Sequence, residues 1–224
     1  MPRPTIPDRA TVILDHARAV ILDKGYRRAT IADIAQRAGI GKGAVYLDFP
    51  SKEAVLDALL ARSVREMAAA VRGRIDRHGA PVTLSELYGI SMEALLADEL
   101  MLAFYLADDS VLGDYVRDKG PGRYGPRLDW LTGYATDLRE AGLLRRDVDP
   151  RAASLVMSVF AVGLINAGPV LGGLPPDSLA QAVRQMSALI SAGWELDPAG
   201  ADAAAVRRAH DTLLDRLDEQ TEAP

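Results

Sequence analysis

The stretch from Thr30 to Lys52 restricts the fold more than any other part of the chain. Thr30 followed three residues later by Asp33 makes a capping box, the reciprocal pairing that starts a helix. Ile31, Ile34, Ala35 and Ala38 recur at helical spacing and give that helix one apolar face. Gly39 suits the left-handed position just past a helix end, and Gly41 is tolerated as the cap of the next helix. A second short helix, about Lys42 to Phe49, is ended by Pro50. Two short helices joined by the three-residue turn Gly39-Ile40-Gly41 form a helix-turn-helix. In the second helix Val45 and Phe49 lie four apart and turn inward, so Gly43 and Leu47 point away, flanked by Ala44 and Tyr46. Lys42 sits in the first turn. A cation, a bare backbone, a methyl and a phenol on one face suit a surface that presses on a nucleic-acid groove while touching phosphate.

The segment Gly39-Ile40-Gly41-Lys42-Gly43-Ala44 imitates two phosphate loops and fits neither. A P-loop needs Gly at 36 and Ser or Thr at 43, where the chain has Gln36 and Gly43. The G-x-G-x-x-A pattern must follow a strand, whereas this one follows a helix.

On the N-terminal side, a helix starting at Pro7 or Asp8 runs to Lys24 with the apolar stripe Ile13, Leu14, Ala17 and Ile21, and stops at Gly25. On the other side Ser51 caps a long helix reaching about Arg77. Residues from about 9 to 60 resemble the DNA-binding domain of the tetracycline-repressor (TetR) family. The resemblance rests on Ile13-Leu14, Gly25-Tyr26, Thr30, Ile34-Ala35, Ala38-Gly39-Ile40, Gly43, Val45-Tyr46, Phe49-Pro50, Ser51-Lys52-Glu53 and Leu56. It covers about a quarter of the chain. It implies that Thr30, Tyr46 and Lys52 contact backbone phosphate, and that Lys42, Gly43, Ala44 and Leu47 meet base edges of double-stranded DNA. Arg28 and Arg37 are further phosphate candidates, and Arg3 and Arg9 are candidates for a flexible groove-reaching arm. Two positions depart from the family pattern. Gly41 stands where Ser or Thr is usual. Asp48 puts an acid where phosphate is expected, so it must turn toward a neighbouring Arg or Lys.

Charge supports this division. The chain carries a formal net charge of −5, but residues 1–77 hold 14 basic and 9 acidic side chains while residues 78–224 hold 12 and 22. A basic head on an acidic body is the asymmetry expected when one end meets phosphate. We therefore divide the chain into a helix-turn-helix domain, residues 1–60, and a helical regulatory domain, residues 61–224, for ligand binding and dimerisation. The two share the helix that ends near Arg77.

The rest of the chain shows no alternating β pattern, so the fold class is all-α. A long apolar segment from Thr83 through Tyr105 reads as one central helix turned by Asp108-Asp109. Further helices are expected over about 127–141, 151–171, 177–196 and 203–219, with Gly/Pro-rich breaks at 120–126 and 172–176. Helices 151–171 and 177–196 are rich in small and apolar residues and are the candidate homodimer interface. Tyr88, Met92, Phe104, Tyr105, Tyr115, Trp130, Tyr134, Met157, Phe160 and Asn166 are candidates to line a cavity for an apolar or aromatic small-molecule effector. For each of them, packing in an ordinary core is the competing reading.

Enzyme chemistry finds no constellation. The chain has no cysteine, which fits a reducing cytoplasm, and its three histidines, His16, His78 and His210, lie in separate segments without metal-ligand spacing. No cofactor or metal is implied. No continuous apolar run approaches the ~18 residues needed to cross a bilayer, and the proline-rich start lacks the apolar core of a signal peptide. These observations converge on a dimeric regulator, most simply a repressor that binds a palindromic operator and is released by a small molecule. The alternative is a helical protein-interaction adaptor that has lost DNA binding, a reading motivated by Asp48 and the overall acidity.

Overall fold

The computed structural model describes residues 8–78, 80–106, 109–112, 115, 125–171 and 176–220. Eleven α-helices are described: α1 (Arg9–Lys24), α2 (Ile31–Arg37), α3 (Lys42–Asp48), α4 (Lys52–Arg77), α5 (Leu84–Ala97), α6 (Glu99–Leu106), α7 (Asp109–Leu112), α8 (Gly125–Glu140), α9 (Pro150–Leu171), α10 (Pro176–Trp194) and α11 (Ala203–Gln220). The only extended pairing among the described residues is one isolated bridge between Leu144 and Glu195. The expected breaks over 120–124 and 172–175, and Arg3, lie outside the described residues.

Two compact units divide the chain. The first comprises Met1–Ser63 and Glu99–Asp118, and the second Val64–Asp98 and Lys119–Pro224. The chain thus passes between units three times, first within α4.

In the first unit, α1, α2 and α3 pack pairwise, as their stripes require. Ile13, Ala17 and Ile21 of α1, Ile34 of α2 and Val45 of α3 are fully buried, and Val55, Leu56 and Leu59 of α4 are buried as well. The α2–α3 turn follows from one residue. Gly39 has φ +67°, which lets the Ile40 N–H reach the Ala35 carbonyl at 3.0 Å and the Gly39 N–H reach Gln36 at 3.2 Å. These are the two bonds of a Schellman ending. Helices α6 and α7 also pack on α1, burying Leu100, Met101 and Leu112.

The long helix expected over the 83–107 region is broken. Asp98 adopts an extended conformation (φ −103°, ψ 102°) between α5 and α6, and the chain changes unit there. The apolar run is continuous in composition, so the pattern hides a break marked only by the polar pair Asp98-Glu99.

In the second unit, α8 packs on α9 and α11, and α5 packs on α10. Its core takes Ala68, Val71 and Ile75 from α4 together with Leu138, Leu143, Ile190 and Val206. The Glu195 carboxylate accepts from the Ser85 N–H (2.6 Å) and hydroxyl (2.9 Å) at the start of α5. By length and hydropathy an 18-residue window of α9, Pro150–Ala167, would suffice to cross a bilayer. Arg151, Ser154, Ser158 and Asn166 interrupt this window, so it is not a continuous apolar run. One face of this helix, with Ala153, Met157, Leu164 and Ile165, is buried within the unit.

Candidate nucleic-acid interface

The capping box that starts α2 is complete. The Thr30 hydroxyl accepts from the Asp33 N–H at 3.1 Å, and the Asp33 carboxylate accepts from the Thr30 N–H at 3.0 Å. Lys24 adds an ion pair to Asp33 at 2.8 Å. The Lys24 ammonium, the Thr30 hydroxyl and the Thr30 N–H together hold the Asp33 carboxyl down to about 2. Thr30 itself stays exposed at the surface.

Helix α3 is oriented as its spacing requires. Val45 and Phe49 are buried, while Lys42, Gly43, Tyr46 and Leu47 are exposed and Ala44 is half-buried. Leu47 is 77% exposed and Tyr46 53%, so both side chains turn most of their surface away from the core. A methyl built on Gly43 meets no atom within 4 Å, and its φ is not in the left-handed region. Nothing within the protein therefore requires glycine there; a closely approaching external surface would.

Asp48 is paired as its position demands. Arg9 donates to it twice, Nε at 2.6 Å and the terminal nitrogen at 2.8 Å, in a two-pronged contact between α1 and the end of α3. The Arg9 hydrogen bond holds the Asp48 carboxyl below its ordinary value. Arg9, a candidate for the groove-reaching arm, is thus engaged within the protein.

Lys52 is half-buried. Its ammonium donates to the carbonyls of Tyr26 (2.9 Å) and Ala29 (3.1 Å), with that of Arg27 at 3.5 Å, and lies 4.3 Å from the centre of the Tyr26 ring. Burial lowers its pKa. In this conformation Lys52 clamps the turn between α1 and α2, a role the sequence does not announce because its partners are backbone carbonyls. Arg28 Nε donates to the Lys24 carbonyl at 2.7 Å, closing the end of α1, while Arg37 is exposed in the last turn of α2.

The effector candidates separate into groups. Tyr134 and Met157 belong to the core of the second unit, and Tyr88, Trp130 and Phe160 pack against it half-buried. The Tyr88 hydroxyl donates to the Met157 carbonyl at 3.3 Å. Met92 is buried in the same unit. Phe104, on α6, lies in the first unit, and so does Tyr115, beyond α7, whose hydroxyl donates to Asp57. The Tyr105 side chain lies outside the described residues. Asn166 is exposed on α9, its side-chain nitrogen donating to the Val162 carbonyl at 2.8 Å, so it faces outward instead of into a core. An open groove of about 410 Å³ runs between the 147–149 loop and the ends of α9 and α10, lined by Val148, Val156 and Trp194 among others, and none of the described effector candidates lines it.

The outward face of α9 is largely apolar, and α10 adds Leu189 beside the exposed Gln181, Arg184 and Gln185. Leu155, Val156, Val159 and Val162 of α9 and Leu189 of α10 are all about half exposed or more. Their spacing of three and four residues makes one continuous stripe on α9.

Known proteins match this arrangement. The model of the family described as bacterial regulatory proteins, tetR family, matches residues 13–59, the segment of α1 to α4 that builds the helix-turn-helix. The A-factor receptor protein of Streptomyces griseus is 28% identical over 159 residues, 68% of this chain, and the match spans only about half (52%) of that receptor. The HTH-type transcriptional repressor KstR2 of Mycobacterium tuberculosis is 28% identical over 150 residues, covering 64% of this chain and 73% of KstR2. Among solved structures, SmeT, the repressor of the Stenotrophomonas maltophilia multidrug efflux pump SmeDEF, superposes in its triclosan complex with a TM-score of 0.61. That superposition covers 84% of this chain and 92% of SmeT at 24% identity, and shows the shared all-α fold. The capped helix-turn-helix, the outward face of α3 and the match to the tetR family model all fall on the same segment, residues 13–59.

Proposed function

We propose that the chain is a dimeric, effector-responsive transcriptional repressor acting in the cytoplasm. The observation that carries this reading is the outward face of α3. Lys42, Gly43, Tyr46 and Leu47 are exposed together and form the surface that a DNA groove would receive. In this assignment Lys42, Gly43, Ala44 and Leu47 meet base edges. Thr30 and Tyr46 contact phosphate, with Arg28 and Arg37 in support. Lys52 first holds the 26–29 turn in place, and its contact with phosphate requires the ammonium to leave at least one carbonyl.

DNA binding is assigned to residues 1–60, and effector binding and dimerisation to residues 61–224. The apolar stripe of α9 with α10 is the surface for a second copy, because one recognition helix reads too few base pairs for useful specificity and a two-fold dimer reads a palindrome. The effector is an apolar or aromatic small molecule. Tyr88, Trp130 and Phe160 around Met157 and Tyr134 support that class, as does the triclosan held by SmeT. The adaptor reading is not favoured. Asp48, its main motive, is matched by Arg9.

The test is binding of the full chain to a palindrome from the region upstream of its own coding sequence, followed by fluorescence anisotropy across a salt series. The expected result is one dimer per site with affinity falling steeply as salt rises. Salt-independent or absent binding would refute the reading.

A further inference from the structure

The turn from Tyr26 to Ala29 joins α1 to the Thr30 cap of α2, and it is gripped from two directions. From α4, Lys52 gathers its carbonyls and covers the Tyr26 ring. From the far segment of the same unit, the Val111 carbonyl accepts from the Tyr26 N–H. The Tyr115 ring meets the Tyr26 ring edge-on, with centroids 6.0 Å apart and an interplanar angle of 67°. The Tyr115 hydroxyl is in turn bound to the Asp57 carboxylate of α4. Tyr115 is 7% exposed, so this hydroxyl would be costly to bury without its carboxylate. Burial and the Asp57 carboxylate both push its ionisation upward, and it remains a donor throughout the physiological range.

These contacts are continuous: Asp57 holds the Tyr115 hydroxyl, Tyr115 and Val111 touch Tyr26, and Tyr26 and Lys52 meet in the turn that leads to Thr30. None of these side chains is on the outward face of α3. We propose that Tyr115, anchored by Asp57 and seated on Tyr26, is a positioning residue for DNA binding that holds the 26–29 turn, and with it Thr30 and α2, in the geometry the operator requires. The proposal rests on the DNA-binding reading above. It adds that a residue some ninety positions downstream of the turn controls that binding without touching DNA.

The test compares wild type, Tyr115→Phe, Asp57→Asn and the double variant as full chains, well below the unfolding temperature of each. The expected result is operator binding weakened about 5- to 10-fold in each single variant, with the double variant no weaker than the singles, because both remove one linkage. The slope of log affinity against log salt should shrink by about one phosphate contact as Thr30 moves. A purely structural role would lower the melting temperature and leave both affinity and slope of the folded protein unchanged. A second readout is the amide NMR resonances of residues 27–30, which should shift in Tyr115→Phe without DNA present. Unchanged resonances there, or unchanged affinity and slope, would overturn the proposal. If wild type fails to bind any operator, the DNA-binding reading falls while the resonance shifts still decide whether Tyr115 positions the turn. If Tyr115→Phe fails to fold, Asp57→Asn carries both measurements.

Discussion

Replacing Gly43 with alanine should move stability and DNA affinity in opposite directions. Gly43 is the second residue of α3, its backbone is outside the left-handed region, and an added methyl meets no atom within 4 Å. In the free protein the methyl therefore costs no clash, and it narrows the conformations open to the unfolded chain. Substitutions of this kind stabilise by about 0.4–1 kcal/mol. For a chain of 224 residues that corresponds to a rise in melting temperature of about 1–4 °C. On DNA the same methyl intrudes into a contact built for a bare backbone. Overpacking a close interface costs about 1–3 kcal/mol, so operator affinity should fall by about 5- to 150-fold. Scanning calorimetry and anisotropy titration of Gly43→Ala measure the two effects separately. Gly39→Ala serves as the contrast. It also has open space around it, but its φ of +67° disfavours any side chain, so it should destabilise by about 1 kcal/mol. Wild-type affinity in Gly43→Ala would place that residue off the DNA and refute the assignment of the α3 face. A lowered melting temperature would refute the local geometry.

Val159→Glu on the exposed stripe of α9 should leave the monomer folded and convert dimer to monomer in sedimentation, with operator affinity falling at least tenfold because the two half-sites uncouple. His210 is 1% exposed against the Tyr134 ring, and burial lowers its pKa to about 4. Asp211 opposes that shift and Arg207 adds to it. The folded state thus binds its proton later than the unfolded state. Stability should be fully retained above about pH 6.5 and decline by up to about 3 kcal/mol as pH falls toward 4. Urea titrations of wild type and His210→Leu across that window check this, and the variant should lose the slope. Breaking the Arg9–Asp48 pair with Asp48→Asn should change stability little, since both side chains are partly exposed and water screens the pair. The same change should leave operator affinity equal or stronger by removing an acid from the DNA-facing helix; clearly weaker binding would show that the pair orients α3.

The head was legible because its signals are local. A capping box, a glycine turn and the four-residue spacing of Val45 and Phe49 each act within a few residues, and the structure keeps all three. The need of Asp48 for a cation was legible as well, but the choice of Arg9, 39 positions away, was not. Long-range partners leave no mark on a single sequence. Lys52 shows the limit from another side, because a lysine that binds carbonyls looks the same as one that binds phosphate. In the body, composition identified helices but not their allegiance. Tyr115 and Phe104 read as effector-lining aromatics beside Trp130, yet they belong to the first unit. Asn166 reads as an effector-lining candidate, and it stands on the exposed face of α9, bonded to its own helix.

The return of residues 99–118 to the first unit sets a rule for building chimaeras from this protein. A DNA-binding head cut at residue 63 would leave behind Leu100, Met101, Leu112 and Tyr115, all of them buried in the intact unit. The side of α1 against which α6 and α7 pack would then be open to water. Transplanting the recognition helix onto another body, or another head onto this one, therefore needs two separate pieces of chain matched to each other. A graft that moves only the contiguous N-terminal piece should express as a sticky, marginal fold, even with the whole outward face of α3 intact.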